Sequence, residues 1–213
     1  MCFSAPASFI AGAALTATGI ATVKKVRHKS EIPFACIPLF FGIQQLIEGF
    51  VWLGFNSDNS ICHALATHGF SFFAYIFWPI FIPYSVYVME RIEWRKKVIG
   101  LFTLVGIGVS AYLSYIIIAF PVASRIVNAS IVYDTANPFG FGILLPYILA
   151  TCVCPLFSSH KTGRMAGLLI FFSAVVSYEF YSVQFVSVWC FFSAIVSLLI
   201  FDFFLQRHKR NIP

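Results

Sequence analysis

Seven apolar stretches separated by short polar or basic segments dominate this chain, at about 5–23, 33–54, 64–88, 98–120, 138–157, 164–181 and 185–205. A helix crossing the hydrocarbon core of a bilayer needs roughly 20 mostly apolar residues. Each stretch reaches or approaches that length. The sixth is short and ends in the polar run "SYEFYS", and only "SVQ" separates it from the seventh, so these two form a tight helical hairpin. A water-soluble core does not account for the pattern. The chain has 26 Phe in 213 residues and is 60% hydrophobic and 10% charged, where soluble domains carry about 25% charged residues. The expected fold is all-α: one polytopic membrane domain, 1–213, of seven transmembrane helices.

The basic residues give that bundle a direction. "KKVRHKSE" after the first stretch, "ERIEWRKK" after the third, "SSHKTGR" after the fifth and the tail "QRHKRNIP" hold thirteen of the fourteen Lys and Arg. The fourteenth, Arg125, follows the fourth stretch. Under the positive-inside rule the N-terminus is outside and the C-terminus cytoplasmic. The formal charge of +6 is then explained by orientation, and no nucleic-acid partner is expected. Membrane lipid is an expected partner, because each Lys or Arg near anionic headgroups gains about 1 kcal/mol. The opening "MCFSAPASF" has no Lys or Arg, which argues against a cleaved leader. The longest loop, 121–137, is short, so the chemistry is expected within or beside the bilayer. The expected location is a cell membrane, a bacterial inner membrane.

Ionisable groups at a membrane helix centre cost about 2.5–3.5 kcal/mol and are default functional candidates. Glu48, in "GIQQLIEGFVW", lies in the outer third of the second stretch. Gln44 and Gln45 are four and three residues earlier and share its face, with Trp52 one turn further out. His68 has a similar depth in the third stretch, and Ser71 and Tyr75 follow it at helical spacing. Tyr178 and Glu179 close the outer end of the sixth stretch, while Asp58, His63 and Asp134 fall in outer loops. Together these groups are expected to converge on an outward-facing polar pocket. Plainer readings stand beside this one. Glu48 is then a protonated carboxyl bonded to a neighbouring helix, His68 a satisfied core histidine, and Glu179 an interfacial carboxylate meeting water. Pro79 and Pro83 in "WPIFIP", and Pro146, are expected to kink their helices and widen a cavity, or to serve packing alone. Gly106, Ser110 and Ser114, like Cys190, Ser193 and Ser197, read as stripes for close helix packing.

The six cysteines, at 2, 36, 62, 152, 154 and 190, contain no CxxC pair. Cys2 and Cys62 both face outward in this topology and can form a disulfide. Alternatively, removal of Met1 leaves Cys2 with a free amine beside its thiol, an N-terminal nucleophile. Cys2 can also be a small residue at the membrane boundary. A metal-bound water held by Glu48, His63 and His68 is a further option, although a five-residue spacing suits two ligands on one helical face poorly. At the inner end, Asp202 is expected to pair with Arg207 or water. "NAS" at 128–130 matches a glycosylation sequon in an outer loop.

Known seven-helix families fit on architecture only. No lysine lies between Lys161 and Lys209, which argues against retinal as a cofactor. The seventh stretch has no histidine, so it lacks the HxxxH pair of the zinc membrane hydrolases, and "ERIEW" is no match for a receptor DRY. "MCFSA" at 1–5, "QQLIEG" at 44–49, "WP" at 78–79 and "WCFF" at 189–192 resemble an uncharacterised family of small, mainly bacterial membrane proteins. The resemblance covers nearly the whole chain and implies seven helices without an activity. It groups the start, Glu48 and Trp78–Pro79 in one pattern, which adds Trp78 to the candidate site. Three functions follow as expectations. The first is binding or translocation of a small molecule or ion at Glu48, with Gln44, Gln45, His68 and Tyr75 shaping the pocket. The second is an intramembrane enzyme using Cys2 or a metal. The third is a seven-helix sensor.

Overall fold

The computed structural model describes residues 4–56, 60–136 and 142–209. Six helices in it are long and apolar enough to cross a membrane. They are α1 (Ala5–Val23), α2 (Lys29–Gly54), α3 (Ser60–Met89), α4 (Glu93–Ala119), α6 (Lys161–Phe180) and α7 (Phe185–Arg207). The fifth expected stretch forms a shorter apolar helix, α5 (Leu144–Phe157). At 1.5 Å per residue it covers about 21 Å, against a hydrocarbon core of about 30 Å. Its sequence explains the irregularity. Pro146 and Pro155 each lack an N–H, and the helix passes from α through a π turn (Leu149–Val153) to a 3-10 turn (Cys154–Phe157).

The starts and contacts of the helices follow from local chemistry. Ser4 caps α1, its hydroxyl accepting from the Ala7 N–H at 3.4 Å. Gly42 lets α1 and α2 approach until a Cβ there would lie 2.6 Å from the Thr16 backbone nitrogen. Such contact through small residues is how helices associate where both sides are already apolar.

α3 is the least regular long helix. A π turn over Phe72–Phe77 precedes Pro79 and Pro83. Carbonyls freed by such a break need other donors in an apolar medium. The Tyr147 hydroxyl donates to the Ala74 carbonyl at 2.5 Å, and the Ser110 hydroxyl to the Ile76 carbonyl at 2.7 Å. Pro83 has no N–H for the Pro79 carbonyl, which lies against Gly106 of α4. The expected kinks are thus a helix irregularity stitched to α4 and α5 by side chains.

One expectation is corrected. The segment read as a plain loop within an all-α fold contains an antiparallel hairpin, β1 (Ala123–Val127) with β2 (Ser130–Asp134). Its turn residues, Asn128 and Ala129, have φ of +47° and +57°, the two left-handed positions that suit the twist of a two-residue hairpin. Tyr133 stacks on Phe70 of α3 with ring centroids 4.2 Å apart. Ser124 Oγ lies 2.9 Å from both His63 Nε2 and Thr67 Oγ1, and Thr67 donates to the His63 carbonyl at 2.9 Å. With its proton on Nε2, His63 donates to Ser124, Ser124 to Thr67 and Thr67 back to His63, so every donor is used.

The opposite end carries the basic clusters and is fastened by carboxylates. Glu31 accepts both Nη groups of Arg207 at 2.7 Å, joining the start of α2 to the end of α7. Glu90 accepts the backbone N–H of Ser159 at 2.6 Å and those of Arg91 and Ile92 at 3.1 and 3.0 Å. Arg95 Nη1 donates to the carbonyls of Phe157 and Ser158 at 3.1 and 3.0 Å. The expected Asp202–Arg207 pair does not form, because Glu31 holds both outer nitrogens of that guanidinium. Asp202 accepts from Gln206 instead.

Candidate functional site

Burying a carboxylate without hydrogen bonds is costly, and α2 supplies part of the compensation itself. Gln44, Gln45 and Glu48 lie within one helical turn and are all fully buried. Gln45 Nε2 donates to Glu48 Oε2 at 3.3 Å. The stronger bond crosses to α7, where Ser187 Oγ donates to Glu48 Oε1 at 2.7 Å. Gln44 turns toward α3, and its Oε1 accepts the Trp78 indole N–H at 2.8 Å. The Trp78 ring stacks on Phe41 of α2, with centroids 3.9 Å apart. Three helices therefore meet at one polar knot inside an apolar bundle.

The knot leaves polar capacity unused. Gln45 Oε1 is buried without a hydrogen-bond partner among the described residues, and Gln44 Nε2 faces only the weak acceptor of the Cys190 thiol. Beside the knot is a small cavity of about 30 Å³, whose walls include Trp78, Trp189, Tyr147, Thr151, Cys190 and Ser193. That volume accepts a guest of about the size of one water.

The expected site residues separate into two groups. Gln44, Gln45, Glu48 and Trp78 come together. Tyr75 is buried in an adjoining cluster with Tyr147 and Trp189. Trp52 is half-buried against Phe55 and Val51, and its indole N–H has no partner among the described residues. His68 stays outside: it is exposed, and its Nδ1 lies 2.9 Å from the Ala64 carbonyl of its own helix. The buried face of α3 runs through Thr67, Phe70, Ser71, Ala74, Tyr75 and Trp78, which turns His68 away from it. Glu179 is also exposed and borders a separate groove with Tyr178 and Phe185. His63 is engaged by Ser124, so Glu48, His63 and His68 do not form one ligand set. Among the described residues no three His, Cys, Asp or Glu side chains gather into a metal-binding group. Cys2 and Asp58 lie outside the described residues, and with Cys2 the disulfide to Cys62.

The sequence reading missed Ser187. It lies one turn before Cys190 and extends the small-residue face of Cys190, Ser193 and Ser197, a pattern that marks packing more readily than a carboxylate partner. The hairpin had a visible signal: "SRIVNASIVYD" places β-branched residues on both sides of Asn-Ala.

No curated protein and no solved structure matches this chain. The family resemblance read from its motifs does have a counterpart, and over residues 1–212 the chain belongs to a family of unknown function, DUF6629.

Proposed function

We propose that this protein crosses a cell membrane seven times and binds or translocates a small molecule or ion at Glu48, which acts as its proton-exchanging carboxylate. The observation that carries this reading is the polar knot itself. A fully buried glutamate is bonded to Ser187 and Gln45, while Gln45 Oε1 has no partner among the described residues and Gln44 Nε2 faces only a thiol. A site built only for packing has no need of that spare capacity, since apolar residues of the same volume fill such space without a desolvation cost.

The crossing number is supported by the path of the chain. The hairpin after α4 touches His63 and Thr67, at the end away from the basic clusters. α6 begins beside Ser159, which is bonded to Glu90 at the basic end. The segment holding α5 therefore passes from one end of the bundle to the other. The basic end is cytoplasmic in this reading, and Glu48 is reached from the outside, beneath the hairpin. The cavity beside the knot has room for about one water, so a larger ligand fits only after the helices part.

The test uses protons as the probe. Purified protein is reconstituted into liposomes containing a pH-sensitive dye, and a potassium diffusion potential is imposed. Wild-type vesicles are expected to acidify faster than empty ones, and Glu48→Gln to lose that flux while keeping its thermal unfolding midpoint. Equal flux in wild type and Glu48→Gln overturns the role of Glu48. Wild-type flux no faster than in empty vesicles overturns proton-coupled translocation.

A further inference from the structure

The basic end of the bundle holds an open groove of about 490 Å³ between the first turns of α6 and the last turns of α7. Its apolar floor is Met165, Leu199 and Phe203, and its polar rim includes Lys161, Thr162 and Asp202. Arg207 also borders the groove, but its guanidinium is committed to Glu31 through two bonds of 2.7 Å. That commitment decides the electrostatics. Asp202 is exposed at the rim, forms no ion pair among the described residues, and accepts from Gln206. Lys161 is exposed at the first position of α6. The first-turn N–H groups of that helix have no intrahelical acceptors and add positive potential there.

A purely basic rim would suit any anionic lipid. This rim presents an ammonium and helix amides on one side and a carboxylate on the other, above a slot lined by apolar side chains. We propose that the groove is a binding site for a phospholipid that carries a primary amine, of the phosphatidylethanolamine class. Its phosphate meets Lys161 and the start of α6, its amine donates to Asp202, and one acyl chain lies along Met165, Leu199 and Phe203. The site is independent of the Glu48 reading and is formed by different residues.

The experiment compares phosphatidylethanolamine, phosphatidylglycerol and phosphatidylcholine, each titrated into the detergent-solubilised full chain with the thermal unfolding midpoint as readout. Phosphatidylethanolamine is expected to bind wild type most tightly. A charge-assisted hydrogen bond corresponds to about a tenfold change in affinity. Asp202→Asn should therefore lose about tenfold for phosphatidylethanolamine and leave phosphatidylglycerol unchanged, while Lys161→Gln weakens both. Equal or tighter binding of phosphatidylglycerol by wild type overturns the proposal without recourse to any variant. So does an equal midpoint shift from soluble phosphoethanolamine at the same concentration, because the acyl slot would then contribute nothing.

Discussion

Ser187 donates its hydroxyl proton to Glu48 across the α2–α7 interface at 2.7 Å, and both residues are fully buried. The bond joins two helices that are distant in sequence at the one acidic residue of the polar knot. Removing the donor leaves a desolvated carboxyl with one fewer partner. Ser187→Ala is expected to cost about 1–3 kcal/mol of stability. Glu48→Gln keeps an acceptor oxygen for Ser187 and should cost less. In the cycle of wild type, Ser187→Ala, Glu48→Ala and the double variant, the double loses less than the sum of the single losses if the two act as a pair, by about 0.5–3 kcal/mol. Reversible unfolding in mixed micelles measures all four species. Strict additivity would show that the bond contributes nothing to the interface.

Gly106 supports a second and sharper contrast. A Cβ at this position would meet the Pro79 carbonyl, a backbone atom that cannot swing aside. Two turns of the chain's own logic meet there: Pro83 leaves that carbonyl without its helical donor, and a glycine lets α4 lie against it. Gly106→Ala is expected to force α3 and α4 apart and to cost about 1–3 kcal/mol. Gly108, two residues on, has open space where a Cβ would point. Gly108→Ala should be neutral or slightly stabilising, because alanine is the better helix former. Equal losses in the two variants would refute the close-contact account.

These residues also mark what the sequence could and could not disclose. The grouping of Gln44, Gln45 and Glu48 was legible because helical spacing fixes which side chains share a face, and the cost of burying them makes the run conspicuous. Trp78 entered through a motif resemblance, while its bond to Gln44 spans 34 positions and no local pattern announces it. His68 shows the limit most clearly. Its depth could be read from the span, but depth does not fix rotation about the helix axis, and the π turn over Phe72–Phe77 shifts the phase between the two halves of α3. The hairpin left a signal around Asn-Ala that was faint for a different reason. In a chain this apolar, a short alternation of Ile and Val does not stand out from its surroundings.

Glu90 predicts how acid affects the basic end. Burial raises its pKa, but the N–H groups of Ile92, Ser159 and Arg91 favour the charged form more strongly, and the net effect is a pKa below the ordinary value of 4.5. The folded state thus binds this proton more weakly than the unfolded chain does. The stabilisation is fully present above the unfolded value and is lost as pH falls through the lower folded one. Glu90→Gln cannot ionise and should flatten that part of the acid limb, most visibly below about pH 4.5. Thermal midpoints of the two proteins between pH 3 and 7 would check this. Parallel curves would mean that other carboxylates govern acid unfolding.

The hairpin tip offers the last prediction, because it stores a conformational cost. Asn128 and Ala129 both have positive φ. Asparagine tolerates that region, whereas alanine brings its Cβ close to the backbone carbonyl, at roughly 1–2 kcal/mol. Glycine removes the clash and forfeits part of the gain through the greater freedom of its unfolded chain. Ala129→Gly is therefore expected to stabilise the protein by about 0.5–1 kcal/mol. Asn128→Ala, which places a second alanine at positive φ, should destabilise it. The same pair reports on what the hairpin covers. Ser124, Tyr133 and the Val127 carbonyl tie it to α3 and to Gln184 at the head of α7. If it shields the outer approach to Glu48, Asn128→Ala should speed hydrogen exchange at the Ser187 end of α7 and Ala129→Gly should slow it. Exchange that changes only within the hairpin would show that the turn is decoupled from the site.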